Sequence, residues 1–256
     1  MKQTLGFIGG GRITRIFLHA FGNSNTQFSR IVVADPNSAV TDNLKTLFPD
    51  IQIAEADVAA AQDIVFIALH PPVIMETLEL VKGYFTDQST VVSLAPKVTI
   101  AKIAAKLSNV RKIARLIPNA TSYINEGYNP VCLAAAFTEN EKKHLLDILK
   151  LLGNTFEVSE DKLEGYAIMS AMLPTYFWFQ WKELIDMGSQ MGLTDDECKA
   201  SIHETLNASL NTFFKSGLTA NEVIDLVPIK PIGEYETKIT DFYKSKLLPL
   251  YEKIKP

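Results

Sequence analysis

Gly6-Phe7-Ile8-Gly9-Gly10-Gly11-Arg12-Ile13-Thr14 decides the fold. An apolar run over 4–8 reads as a strand, three glycines break it, and Ile13, Ile16, Phe17, Ala20 and Phe21 then recur at helical spacing. The letters match G-x-G-x-x-G at Gly9 and Gly11, with Thr14 in the third place, and the strand, turn and helix around them give the match its weight. The first glycine makes a tight turn and the second lets a pyrophosphate approach the backbone. The helix N-terminus adds amide donors and the positive end of its dipole. A dinucleotide cradle is therefore expected from Gly9, Gly10, Gly11, Arg12 and Ile13. Thr14, in place of Gly or Ala, is expected to loosen the helix slightly against the strand.

Asp35 ends the next predicted strand. It stands at about the interval, roughly 20 residues, at which an acidic side chain accepts the ribose hydroxyls. That favours NAD, because a 2′-phosphate would meet its charge. No Arg follows, only Pro36-Asn37-Ser38. Asn37 and Ser38 are open to two readings, donors to a phosphate or caps of the next helix. The cofactor is accordingly read as NADP or NAD.

Working outward, short β-branched runs at 4–8, 30–34, 51–54, 64–69, 90–94, 112–117, 131–135 and 155–158 alternate with amphipathic stretches. This predicts an α/β fold with a Rossmann-like, doubly wound, mostly parallel sheet. Thr138 and Glu141 form a capping box before Leu145, Leu149 and Leu152, with Gly153 as the stop. After 158 the strand signals cease. We read 1–158 as a dinucleotide-binding domain and 159–256 as an all-α domain for substrate and dimerisation. Within the second, one long helix is expected over 160–188, with capping boxes at Thr194/Glu197 and Thr219/Glu222 opening the next two. Pro228 and Pro231 frame the loop before a last helix from about Gly233. Residues 166–181 are apolar nearly all round, which suits either a central core helix or a subunit interface carrying Phe177, Trp178 and Trp181.

Composition excludes other classes. With 47% apolar and 21% charged residues and 2 Cys, the chain is neither disordered nor a disulfide scaffold. A net charge of −4 argues against nucleic acid, and the C-terminal lysines interleave with carboxylates as a solvated helix face does. Cys132 and Cys198 fit no metal or redox spacing and read as small buried hydrophobes in a reducing cytoplasm. The N-terminus shows no cleavage pattern and no stretch of 18 apolar residues follows it, so no membrane partner is expected. The four histidines have no ligand spacing, and no metal is expected. There is no G-x-S-x-G elbow and no P-loop.

Three motifs in order carry a resemblance: Gly6-Phe-Ile-Gly-Gly-Gly11, Asp63-Ile-Val-Phe-Ile-Ala-Leu-His-Pro71, and Arg115-Leu-Ile-Pro-Asn119 with Glu126-Gly127. Together they resemble the pyrroline-5-carboxylate reductases, across the chain's whole length. The resemblance implies hydride transfer from NAD(P)H to a cyclic imine, 1-pyrroline-5-carboxylate or a related one, in proline biosynthesis. It also implies a homodimer or ring of dimers through the helical domain. By position it adds Ala68, Leu69, His70, Ala95 and Asn119 to the cofactor contacts. His70 stands where the family has Lys, which keeps a hydrogen-bonding group whose charge depends on pH; as a separate reading, it caps the helix that Pro71 begins. The family's Ala-Gly is Ala95-Pro96-Lys97 here, which adds bulk near the expected nicotinamide.

The substrate motifs depart further. Ser170-Ala-Met-Leu-Pro-Thr-Tyr176 keeps Ser170, Pro174 and Tyr176, and Pro231-Ile-Gly-Glu-Tyr235 puts Tyr235 where the family's proton-donating Thr falls. Ser170, Tyr176 and Tyr235 are the catalytic candidates by resemblance, with packing as the alternative role of each Tyr. Glu234 would repel a substrate carboxylate. Two alternatives stay open: a related reductase or dehydrogenase acting on another substrate, and a cofactor-binding protein without catalysis; Lys182 stands on the helix where hydroxyacid dehydrogenases of related architecture carry a catalytic Lys, without the Gly-rich approach expected before it.

Overall fold

The computed structural model describes residues 3–256, so the reading of the extreme N-terminus at Met1 and Lys2 lies outside the described residues. Eight strands, β1 (Thr4–Ile8), β2 (Arg30–Ala34), β3 (Gln52–Ile53), β4 (Ile64–Ile67), β5 (Thr90–Ser93), β6 (Lys112–Leu116), β7 (Gly127–Leu133) and β8 (Gly153–Glu157), form one sheet in the order β3-β2-β1-β4-β5-β6-β7-β8. All neighbours are parallel except β6 and β7, where Arg115 opposes Cys132. One antiparallel step fits the expected mostly parallel sheet. The connection over 117–126 is shorter than the dozen or so residues a parallel crossover takes, so the chain turns back. Strand order reverses between β1 and β4, and ligands of such sheets bind at the carboxyl ends of the strands flanking that reversal.

Helices α1 (Arg12–Asn23), α2 (Ser38–Leu47), α3 (Ala56–Ala60), α4 (Pro71–Val81), α5 (Ile100–Lys106) and α6 (Glu139–Leu149) cover the sheet. Side chains alternate across each strand. Leu5 and Phe7 enter one core with Phe17, Phe66 and Leu149, whereas Ile8 enters a second with Val65, Ile74 and Ile103. Phe7 stacks on Phe66 at 4.8 Å between ring centroids, and Phe17 meets Phe66 edge-on at 5.4 Å. These contacts anchor α1, and with it the glycine turn, on the strands either side of the reversal.

The chain divides into two compact units. The first holds the sheet, runs to Met172 and includes 250–256; the second, 173–249, is helical. The last strand ends at Glu157, where strand signals cease in the sequence, but the sheet unit continues past it because Leu163 and Ala167 are buried with Ile117.

The single helix expected over 160–188 is not formed. Instead there is a 3-10 turn Glu160–Lys162, α7 (Leu163–Tyr166), a π turn Ala167–Ala171, a 3-10 turn Leu173–Tyr176 and α8 (Trp178–Gln190). Pro174 has no N–H and its ring disfavours a helical residue before it. The chain widens first, with the Met172 N–H reaching the Ala167 carbonyl at 3.0 Å. In the helical unit, α9 (Asp195–Lys215) and α10 (Ala220–Asp225) open in the expected capping boxes. A turn Gly233–Tyr235 leads into α11 (Glu236–Ile254). Trp178 is 46% and Phe179 66% exposed, so the apolar segment is not a core helix within this chain. Among the described residues no helix is long and apolar enough to cross a membrane.

Candidate functional site

The turn after β1 is built as its glycines require. Gly9 has a φ of +106°, and a Cβ there would stand 2.4 Å from the Ala68 carbonyl oxygen. Its amide donates to the Ala34 carbonyl at 2.8 Å, binding the turn to the end of β2. The Asp35 carboxylate completes this tie, accepting Gly10 N–H at 2.8 Å and Asn37 N–H at 2.9 Å. Thr14 adds a contact the fingerprint does not announce: fully buried, it donates its hydroxyl to the Gly9 carbonyl at 2.6 Å and latches helix to turn. Asn37 takes the capping role, its Oδ1 accepting Ala39 N–H at 3.0 Å. Gly11 is the N-cap of α1 without a side-chain cap, and nothing lies within 4 Å of where its Cβ would be. Open backbone and uncapped first-turn amides at one spot fit an anionic phosphate.

Two cavities share Gly11, Arg12 and His70. One, of about 330 Å³, is mainly apolar and is lined by Ile13, Ala68, Leu69, Leu94–Pro96, Ile117, Pro118, Ala167, Ala171 and Met172. The other, of about 560 Å³, adds Gly10, Arg15, Ala39, Val40, Asn43 and Leu44. His70 is the N-cap residue of α4, yet its side chain makes no capping bond and it stands exposed between the two cavities.

The structure thus brings Gly10, Gly11, Arg12, Ile13, Ala68, Leu69, His70 and Ala95 onto one groove, with Gly9, Asp35 and Asn37 supporting it from behind. Asn119 is 5% exposed and lines neither cavity. Its Nδ2 donates to the Ser170 carbonyl at 3.1 Å, and its Oδ1 accepts from Thr121 N–H at 3.0 Å. It acts as a strut between β6 and the π turn. Ser170 lies in the sheet unit, its hydroxyl donating to the Tyr166 carbonyl at 2.9 Å. Arg15, Asn43, Ile117, Ala171 and Met172 were not singled out in the sequence. Ile117, Ala171 and Met172 fall within motifs quoted there, and Arg15 and Asn43 lie on the helices that follow β1 and β2.

In the helical unit, Tyr176 and Tyr235 line one cavity of about 530 Å³ with Gln180, Phe242 and Tyr243. Burial, and then neighbouring Tyr243, push the Tyr176 phenol above its ordinary pKa, so it is held protonated. Lys182 is exposed on α8 and donates to Asp186 at 2.6 Å, a bond that raises its pKa and holds it as a cation. Among the described residues no group of three His, Cys, Asp or Glu side chains gathers as a metal site.

Residues 4–97 match the family model described as NADP oxidoreductase, coenzyme F420-dependent. Pyrroline-5-carboxylate reductase of Escherichia coli is 25% identical over 230 residues, 89% of this chain and 85% of its own. That of Corynebacterium melassecola is 25% identical over 194 residues, 74% of this chain and 72% of its own. The crystal structure of Plasmodium falciparum pyrroline carboxylate reductase with NADP bound superposes with a TM-score of 0.80 at 21% identity, covering 98% of this chain and 95% of that one. A doubly wound sheet with an open glycine turn and a two-sided groove is the architecture of a dinucleotide-binding protein. With matches of this coverage in the same order of motifs, the chain is similar along most of its length to the pyrroline-5-carboxylate reductases.

Proposed function

We propose that this chain is an NAD(P)H-dependent reductase of a C=N bond, converting 1-pyrroline-5-carboxylate to proline or reducing a related imine. The observation that carries the reading is the pair of cavities meeting at Gly11, Arg12 and His70, one mainly apolar and the other bearing Arg15 and Asn43. A dinucleotide has this form, two unlike halves joined at a pyrophosphate. When bound, the cofactor supplies the hydride. Gly11 and the first turn of α1 offer amides to the phosphates; Arg12 adds a cation; Ala68, Leu69 and Ala95 wall the apolar half. Asp35, at the end of β2, is our candidate for the adenosine ribose, and its charge weighs towards NAD over NADP. Tyr235 and Tyr176 are the candidate proton donors, a role that a phenol held protonated can fill.

Titration with NADH and NADPH by fluorescence, followed by oxidation of the bound cofactor with 1-pyrroline-5-carboxylate and then other imines, tests the reading. Tyr235→Phe should lower kcat and leave cofactor affinity intact. Cofactor binding with no turnover on any imine would support a non-catalytic binding protein instead.

The helical unit also supports pairing of two copies. Phe214 at 72%, Val227 at 62%, Ile229 at 78% and Phe242 at 60% exposure are large apolar groups left open on one small unit. A homodimer, or a ring of dimers, would cover them, and light scattering after size exclusion measures this. A reducing cytoplasm suits the two free cysteines, Cys132 and Cys198.

A further inference from the structure

Arg115 on β6 is fully buried. It donates through Nη2 to Glu164, and through Nη1 to Glu160 Oε1 at 3.0 Å. Each of those carboxylate oxygens accepts a second hydrogen bond, from the segment after β5. Glu164 Oε1 takes Lys97 N–H at 3.1 Å, and Glu160 Oε1 takes Ile100 N–H at 2.7 Å. One guanidinium therefore fixes two carboxylates, and those carboxylates fix the backbone that carries Ala95 and Pro96.

What they hold is strained. Lys97 has a φ of +76°, a left-handed conformation that a side chain with a Cβ resists. Such a conformation persists only where the surroundings over-determine it. Ala95 and Pro96 form one wall of the apolar cavity, and Ile117, Pro118, Ala167 and Ala171 form another. Arg115 precedes the second wall's strand end, and Glu164 precedes its π turn. The network thus sets the distance between the two walls.

We propose that Arg115, Glu160 and Glu164 are positioning residues, which hold the 95–100 segment in its strained form and so shape the half of the groove that takes the nicotinamide. This rests on the dinucleotide reading above. The guanidinium and carboxylates touch no reacting atom; their effect passes through Ala95 and Pro96.

Calorimetric titration of Glu164→Gln with NADH and with ADP-ribose, which lacks the nicotinamide, separates this role from general support of the fold. The neutral amide weakens charge-assisted bonds to Arg115 and to Lys97 N–H. NADH should bind about tenfold more weakly, about 1.4 kcal/mol, while ADP-ribose affinity stays unchanged. Adding Lys97→Gly should restore NADH binding, because glycine holds the left-handed turn without restraint. If Glu164→Gln does not fold, Glu160→Gln carries the same comparison, since that side chain is 31% exposed and its loss leaves Glu164 on the guanidinium. Equal weakening of both ligands, or unchanged NADH affinity, would overturn the proposal. If the unaltered protein binds neither ligand, the dinucleotide reading itself falls, and this inference with it.

Discussion

Asp35 accepts the amide of Gly10 at 2.8 Å, so the carboxylate expected to read the cofactor's ribose also shapes the turn that holds its phosphates. Its other oxygen takes Asn37 N–H, which fixes the start of α2. An amide in its place has one acceptor oxygen for two donors and carries no charge. Asp35→Asn should therefore weaken NADH by about tenfold, the scale of one charge-assisted bond. NADPH should lose less, because the repulsion of its 2′-phosphate is also removed. The ratio of the two dissociation constants, from fluorescence titrations of both proteins, checks this. An unchanged ratio would mean that Asp35 serves the turn alone.

Thr14 gives a stability prediction. Its hydroxyl satisfies the buried Gly9 carbonyl, and valine fills the same volume without a donor. Thr14→Val should cost about 1–2 kcal/mol, the penalty for a buried acceptor left unpaired. Thr14→Ser should keep most of it. Urea unfolding of the three proteins measures the difference, and a neutral valine would show the bond to be without weight.

The glycine turn and the alternating strands were legible because their signals are local. A residue's burial depends on its immediate neighbours in period, and a turn's shape on its own glycines. The π turn at Ala167–Ala171 was not, because Pro174 announces only that the helix must break, not how the residues before it rearrange. The Arg115–Glu164 pair was invisible for another reason. The partners lie 49 residues apart, and neither residue alone signals a buried ion pair. Asn119 was found by its motif, but the motif does not say whether its amide faces a ligand or, as here, the Ser170 carbonyl. Thr14 was read from the glycine fingerprint, which describes packing space and not the hydroxyl's partner.

Acid sensitivity follows from Glu141. The Arg111 guanidinium first, and then the amide and hydroxyl of Thr138, hold its carboxyl down from 4.5 to about 2. A depressed folded-state pKa contributes stability that is complete above the unfolded value and is lost as pH falls through the folded one. This stabilisation should therefore be full above about pH 4.5 and gone near 2. Glu79, bonded first to Lys82 and then to Lys106, titrates in the same window. Thermal melts of Glu141→Gln across that range should show a shallower fall in Tm than the unaltered chain, and shallower still with Glu79→Gln added. Parallel curves would remove both pairs from the account of acid unfolding.

Gly9 and Gly11 should separate folding from binding within one turn. At Gly9 an alanine must adopt a φ of +106° and place its Cβ 2.4 Å from a backbone oxygen of β4's end, a clash that only displacement of the turn relieves. Gly9→Ala should lower stability by about 2 kcal/mol or more, as strain at such positions does, and remove dinucleotide binding with it. At Gly11 the new methyl meets nothing within 4 Å and the backbone is ordinary, so Tm should not fall. That same open space is where a pyrophosphate must come against the backbone. Gly11→Ala should thus weaken NADH and NADPH alike by at least about tenfold, about 1.4 kcal/mol, in a protein as stable as the parent. Melting curves and titrations on the two variants settle it: normal affinity in Gly11→Ala would mean that the phosphates do not pass over this turn, and the groove would need another ligand.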